Sequence, residues 1–395
     1  MDQDILSLEE QIARLQALLE ASRQVHSTIK LDEVLTQTAH ILVRELEMNG
    51  AAFLAPTTGD LMAAYGTLPE PPYDDCTRFP LLAKDDTVMA ELVVASNTPC
   101  LSLYEQDFVE GLVLQAAVAL ENATFHERDL EWARVQQDLD AARTIQRSLL
   151  PKSMPNISGY SIAAKTTTCY EVGGDYLDTI QLADGSHLMV VADVAGKGLA
   201  SAIVATSFRA SLRSLVSQPI PLADIVALVG QQHWDEGVET QRRYVTAIFA
   251  RLHLAKGTIE VVNAGHNPGA LILPDNSIRM IDASGTPLGM LPGMTYSAET
   301  FPFAPGARIL LYTDGLTEVF QGEDEFGSER LTEEFRNLPS NSAERMLDSL
   351  WDTLATFSLN AHQTDDMTAL AVCHLSQSQQ ETASQEINPQ EISQL

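Results

Sequence analysis

Apolar positions along the chain change period several times, and each change predicts a different kind of element. Residues 5–22 place Ile5, Leu8, Ile12, Leu15, Leu19 and Ser22 at alternating steps of three and four. That spacing is the seam of a coiled coil, and it equally fits an amphipathic helix packing on its own domain. Residues 31–46 predict a second helix, with Asp32 and Glu33 in the first turn, where the helix dipole favours acids. From Ala51 the period becomes that of strands. AAFLA and LMAAYG flank Pro56-Thr57-Thr58-Gly59-Asp60, a hairpin by its turn residues. FPLLA and TVMAELVVA predict two more strands around Lys84-Asp85-Asp86. A long helix follows from Glu105, with Phe108, Leu112, Ala116, Val118, Leu120 and Ala123 facing inward. Helix, sheet and closing helix make a compact α+β domain here.

The helical pattern then continues without glycine or proline to Pro151. Val135, Leu139, Ala142 and Leu149 fall on one seam, with Gln146 between them. This predicts a helical linker, either a parallel dimer coil or a single solvent-bridging helix. Residues 160–375 alternate short apolar strands with turns. Helices are expected at about 198–216 and 220–238, and a third helical region after Arg330. The last stretch, SQSQQETASQEINPQEISQL, has few apolar residues and reads as a disordered tail.

Composition narrows the class. The chain has 395 residues, enough for two or three domains, and an ordinary globular share of apolar side chains. A net charge of −30 makes nucleic acid and anionic membrane poor partners. The start MDQDILSLEE lacks the basic head and apolar core of a signal peptide, and no apolar run is expected to cross a bilayer. Cys76, Cys100, Cys169 and Cys373 lack pairing spacing. They read as reduced thiols of a cytoplasmic protein, not as a disulfide framework or a zinc site.

The candidate chemistry lies at strand ends. HLMVVADVAGKG, residues 187–198, and RILLYTDGLTE, residues 308–318, are apolar runs that stop at an acid, Asp193 or Asp314, followed by small residues. A buried strand ending this way presents a carboxylate at the rim of a sheet. EVGGDYLD adds Asp175, with Gly173 and Gly174 expected to let the chain turn sharply. A hairpin around Ala183-Asp184-Gly185-Ser186 then sets Asp175 beside Asp193. Small residues after Asp193 free the Val194 carbonyl as a further oxygen donor. QTDDMTALAV places Asp365 and Asp366 just before a final strand. Each acid alone is commonly a turn residue. Four acid positions without Cys/His spacing together favour Mg2+ or Mn2+ over zinc. Two such ions about 4 Å apart can share a carboxylate and activate water for in-line attack on a phosphoester.

GGDYLD, ADVAGKGLASAI, NAGHNP, YTDGLTE and TDDMTAL, in this order, resemble the PPM-type metal-dependent serine/threonine protein phosphatases, most of all their SpoIIE/RsbU branch. The likeness spans residues 140–375 and includes ARTIQRSLLP, which is similar to the linker helix of that branch. It implies an antiparallel β-sandwich flanked by helices, holding two Mn2+ or Mg2+ ions. Asp193 would bridge them. Asp175 and the Val194 carbonyl would hold one ion, and Asp314 and Asp365 the other, with Asp366 as a partner or alternative ligand. Ala195 stands where eukaryotic relatives carry a histidine thought to protonate the leaving alcohol. The general acid is then expected to be water at the ions. His266 is a candidate substitute or a structural residue of its turn. Lys197 could contact the substrate phosphate or be solvated.

Residues 25–125 resemble a GAF domain in their order of elements, which implies a sensor for a small ligand or a partner protein. The expected organisation is an N-terminal helix (1–24), a GAF-like domain (25–125), a helical linker (126–150), a phosphatase domain (151–375) and a tail (376–395). The resemblance implies hydrolysis of phosphoserine or phosphothreonine, usually on a STAS-type anti-sigma-factor antagonist, by a homodimer regulated through the linker. The alternatives are a non-catalytic phosphatase-like scaffold and another two-metal hydrolase. The negative charge weighs against a nuclease.

Overall fold

The computed structural model describes residues 2–98, 100–339, 341–359 and 363–376. The tail from 377 onward and the seam side chains Ile5 and Leu8 lie outside what is described. The chain divides into two compact units, Met1–Gln136 and Gln137–Leu395.

The first unit contains α1 (Asp2–Val25), α2 (Leu31–Glu45), β1 (Gly50–Leu54), β2 (Leu61–Gly66), β3 (Thr77–Leu82), β4 (Val88–Ala95) and most of α3 (Leu103–Leu149). Its antiparallel sheet runs β2-β1-β4-β3. The expected hairpin is present, with Ala51 opposite Tyr65. Val25, Leu35, Ala39, Leu42, Phe108, Leu112 and Ala116 from the three helices share one core with Phe53, Leu81 and Leu92 from the sheet. Ile12, Leu15 and Leu19 stay outside that core and are exposed. The expectation that no run is long enough to cross a bilayer needs correcting. One 18-residue stretch of α3 is apolar and long enough, with mean hydropathy 1.2, and half of it is buried. Phe108, Val109, Leu112, Val113 and Ala116 make this helix apolar because they pack in the core.

The second unit is a sandwich of two five-stranded antiparallel sheets. Its strands in chain order are β5 (Tyr160–Thr167), β6 (Tyr176–Gln181), β7 (His187–Val194), β8 (Val245–His253), β9 (Thr258–Ala264), β10 (Gly269–Ile272), β11 (Ile278–Ile281), β12 (Glu299–Pro302), β13 (Arg308–Tyr312), β14 (Phe320–Gln321), β15 (Asp324–Glu325) and β16 (Met367–His374). One sheet runs β11-β10-β13-β16-β5, the other β12-β9-β8-β7-β6, and β14-β15 is a small separate hairpin. Five helices accompany them: α4 (Leu199–Leu215), α5 (Leu222–Asp235), α6 (Val238–Gln241), α7 (Gly327–Asn337) and α8 (Ala343–Phe357).

Strand alternation explains the layers. Met189 and Val191 of β7, Ile309 and Leu311 of β13, and Leu370 and Val372 of β16 interdigitate between the sheets. The intervening Leu188, Val190 and Ala192 face Val204, Phe208, Leu212 and Ile225 of α4 and α5. Leu310, Tyr312, Ala369 and Ala371 face Leu331, Phe335, Met346 and Leu350 of α7 and α8. Arg213 on α4 holds the buried Asp178 of β6 through two hydrogen bonds of 2.7 Å, and the Tyr176 hydroxyl donates to the same carboxylate.

Two helix expectations change. The run 220–238 is not one helix: α5 ends at Asp235, and Gly237, at φ 116°, separates it from α6. The region after Arg330 is two helices, the first starting earlier at Gly327. Pro339 cannot continue α7, and Ser342 opens α8 by accepting the Arg345 N–H.

Candidate metal centre

The alternation that builds the sandwich also aims the acids. Asp193 continues the inward-facing series of Met189 and Val191 at the end of β7. Tyr176 packs on the helix side, so Asp175, one residue earlier, lies on the inner side. The pair Tyr176–Ala192 is the last of its ladder, which brings Asp175 opposite Asp193. Asp366, just before β16, and Thr368 on it precede the inward Leu370 and Val372. On β13, Thr313 follows the inward Ile309 and Leu311, and the chain then bends into a single 3-10 turn, Asp314–Leu316.

The carboxylates meet at one end of the sandwich and raise each other. Burial and then Asp314, Asp365 and Asp366 push Asp193 up to about 7. Burial and Asp193 hold Asp175 well above the usual carboxylate range. Burial followed by Asp365 raises Asp314, and burial raises Asp366. The Thr313 hydroxyl donates to Asp175 Oδ2 at 2.8 Å, and the same oxygen of Thr313 accepts the Thr368 N–H at 3.0 Å. Neither threonine was singled out by the sequence, because threonine is common in strands and carries no local signal of this role.

The two neighbouring acids Asp365 and Asp366 have different surroundings. Asp366 accepts the backbone N–H groups of Cys169 (2.7 Å) and Gly174 (2.9 Å), stapling the loop that delivers Asp175. Asp365 is more open, and its Oδ2 lies 2.8 Å from Lys197 Nζ. Lys197 also donates to the Thr364 carbonyl at 2.8 Å, so it is engaged with the chain and not simply solvated. The glycine pair before Asp175 has a different reason from the one expected. Neither Gly173 nor Gly174 has positive φ. Instead, a Cβ on Gly173 would come within 2.2 Å of Asp366 Oδ2, and one on Gly174 within 2.9 Å of the Val194 carbonyl oxygen. The need is for close approach.

His266 is buried behind this cluster and touches none of its carboxylates, bonding Thr246, the ladder partner of Asp193, and Tyr312. Its Nε2–H donates to the Tyr312 carbonyl at 3.0 Å, which leaves Nδ1 to accept the Thr246 hydroxyl at 2.8 Å. Burial lowers it to about 4, so it is neutral at pH 7.

The second unit's portion of α3 also reaches the site. The Gln146 side chain pairs with the Gly173 backbone in both directions, donating to its carbonyl at 2.7 Å and accepting its N–H at 3.3 Å. Arg209 on α4 donates to the Leu149 carbonyl at 3.0 Å.

The donor set is all oxygen: five carboxylates and the Val194 carbonyl. Among the described residues, no three His, Cys, Asp or Glu side chains converge closely enough to grip an ion as they stand. The donor chemistry and the excess of buried negative charge still fit a hard divalent cation, which would relieve the repulsion that raises Asp193.

Residues 183–375 match the family described as Stage II sporulation protein E (SpoIIE). The matched stretch lies within the second unit, whose fold is that of PP2C domains. Protein IcfG of Synechocystis sp. is 26% identical over 266 residues, covering 60% of this chain and 41% of that protein. Phosphoserine phosphatase RsbP of Bacillus subtilis is 24% identical over 185 residues, covering 46% of each. The chain thus spans less than half the length of either relative. The SiaA-PP2C domain of Pseudomonas aeruginosa has the same fold, with TM-score 0.53 and 23% identity over 61% of this chain and 97% of that domain.

Proposed function

We propose that the second unit is a metal-dependent phosphatase acting on phosphoserine or phosphothreonine in a protein. The observation that carries this reading is the gathering of Asp175, Asp193, Asp314, Asp365 and Asp366 at one end of the sandwich, with Asp193 pushed up to about 7 by its neighbours. Two Mg2+ or Mn2+ ions, when bound, supply an activated water and balance the charge on the phosphoryl oxygens. Asp193 would lie between them. Asp175 and the Val194 carbonyl would serve one, and Asp314 and Asp365 the other. Asp366 holds the 169–174 loop through its two N–H contacts, which supports a positioning role for it. Lys197 fixes Asp365. Ala195 offers no proton, and the neutral, buried His266 is a poor donor, which leaves protonation of the leaving alcohol to water.

The name of RsbP supports a phosphoserine substrate. The rest of the reading is a phosphorylated STAS-type anti-sigma-factor antagonist as substrate, a GAF-like sensor in residues 25–125, and a cytoplasmic homodimer. The exposed Ile12, Leu15, Leu19 and Val135 support the pairing, and the Gln146 and Arg209 contacts support control through the linker. A phosphatase-like scaffold without catalysis is the competing reading, and the Lys197–Asp365 pair is the contact in its favour. Phosphate release from p-nitrophenyl phosphate with Mn2+, and its loss in Asp193→Ala, separates the two. A protein that binds a phosphoprotein but releases no phosphate is the scaffold.

A further inference from the structure

Beside the acid cluster lies an open groove of about 530 Å3 that the metal centre does not use. It is built from the same segments as the acids. Gly315 follows Asp314, Thr364 precedes Asp365, and Met367 follows Asp366, so each of these lining residues is a chain neighbour of one of the acids. The groove borders the site at Gly315, Glu318 and Thr364, on the helix side of the sheet, and is walled by α8 and the segment that enters β14.

Its chemistry is apolar. Val319, Phe320, Trp351, Leu354 and Met367 supply most of the surface, and Phe320 is 42% exposed with no core to explain it. Polar groups on the wall are already paired with each other. Trp351 Nε1 donates to Thr167 Oγ1 at 3.1 Å, and Gln363 Nε2 donates to the Thr167 carbonyl at 2.8 Å. Among the described residues the lining holds no lysine, arginine or histidine and one carboxylate, Glu318. A volume of this size is in the range of about 300–1,000 Å3 that buries a whole small ligand.

We propose that this groove is a specificity subsite: it takes a bulky apolar side chain that flanks the phosphorylated serine or threonine of the protein substrate. The proposal rests on the phosphatase reading and adds to it the sequence chemistry of the substrate. A phosphate placed at the acids puts a flanking residue at the Gly315 and Thr364 edge of the groove. An apolar flank buries itself against Phe320, Trp351 and Leu354. An acidic flank meets Glu318 and the edge of the aspartate cluster, and is disfavoured. The subsite therefore selects among phosphoproteins by what stands next to the phosphate.

The experiment uses the full-length chain with Mn2+ and three phosphoserine peptides, identical except for leucine, glycine or glutamate beside the phosphoserine. p-Nitrophenyl phosphate, which has no amino-acid residue flanking its phosphate, is the reference. Ala355 is an exposed residue of α8 on the groove wall, so Ala355→Trp fills the groove without entering the core. Phe320→Ala removes one apolar wall. The expected result is a kcat/KM about tenfold or more higher for the leucine peptide than for the glycine peptide, and lowest for the glutamate peptide. That preference disappears in both variants, while p-nitrophenyl phosphate hydrolysis is unchanged and reports that both are folded. Hydrolysis of p-nitrophenyl phosphate with equal rates on all three peptides overturns the subsite alone. No hydrolysis of any substrate overturns the phosphatase reading beneath it. If deletion of residues 377–395 raises the rate on the leucine peptide and Ala355→Trp does the same, the groove belongs to this chain's own C-terminal segment, and the substrate assignment fails.

Discussion

The Asp366 carboxylate accepts the backbone N–H of Gly174 at 2.9 Å, across 192 residues of sequence. One acid at the start of the last strand thereby fixes the residue immediately before another acid, Asp175. Nothing larger than glycine fits next door, since a Cβ on Gly173 would stand 2.2 Å from Asp366 Oδ2. Gly173→Ala is therefore expected to displace Asp366 and free the 169–174 loop, costing about 1–3 kcal/mol of stability as overpacking does. Mn2+ affinity should fall with it. Denaturant unfolding in EDTA and a calorimetric Mn2+ titration check both. Wild-type values in both would show that the loop yields without consequence.

Asp193 is expected to act in opposite directions on stability and on activity. Its carboxyl is raised from the ordinary 3.8 to about 7. For an acid this sign means that the folded, metal-free protein holds the proton more tightly than the unfolded chain. Stability is full below the ordinary value, declines as pH rises from 3.8 to about 7, and stays lower above it. At pH 8 in EDTA, Asp193→Asn removes the ionised group and should melt higher than wild type, on the order of 5 °C. Mn2+ should raise the melting point of wild type and narrow or reverse that gap. Asp193→Ala should lose Mn2+ at both positions and reduce phosphate release by about a hundredfold or more. Asp314→Ala should mainly weaken one of two binding steps. A single binding step in wild type would remove the two-ion arrangement.

The acid positions were legible because each sits where an apolar strand starts or stops, and alternation along the strand indicates which side it faces. Both hairpins, around Gly59 and Gly185, were legible from their turn residues. What escaped was nonlocal. Thr313 donates to Asp175 from 138 residues away, and Lys197 meets Asp365 and Thr364 across a comparable separation. The groove draws on β5, the turn after Asp314, α8 and β16, and no single stretch announces it. Gly173 and Gly174 were visible as a pair, but their reason, the nearness of Asp366 and Val194, exists only in the folded chain. The break of 220–238 at Gly237 was a local signal overridden by the apolar period on either side.

His266 gives the chain an acid-sensitive contact that involves none of the carboxylate groups directly. Burial lowers it from 6.5 to about 4, while its Nδ1 accepts from Thr246 and its Nε2–H donates to Tyr312. A depressed histidine binds its proton more readily in the unfolded chain. Its contribution to stability is complete above 6.5 and is lost as pH falls towards 4. Protonation would also break the bond from Thr246, since both ring nitrogens then donate. His266→Gln should flatten the acid limb of the melting-point profile between pH 6.5 and 4, at some cost in stability at pH 8. The pH profile of phosphate release should keep its shape, which a general acid at this position would not allow.

Gln146 is where the linker helix can be felt at the acids. Its side-chain amide pairs with both backbone groups of Gly173, and Gly173 packs against the Asp366 carboxylate. Gln146→Ala removes two hydrogen bonds worth about 0.5–1.5 kcal/mol each. It leaves every acid in place. The loop that carries Asp175 should then be held less firmly, so that more Mn2+ is needed to assemble the site. The expected outcome is a rise of several-fold in the Mn2+ concentration giving half-maximal phosphate release, with kcat at saturating Mn2+ largely kept. Arg209→Ala, which loses the contact from α4 to the Leu149 carbonyl, should shift the same quantity in the same direction. A fall in kcat that excess Mn2+ does not repair would mean that Gln146 acts on the reaction and not on the assembly of the site. An unchanged Mn2+ requirement in both variants would mean that the helix end merely packs there.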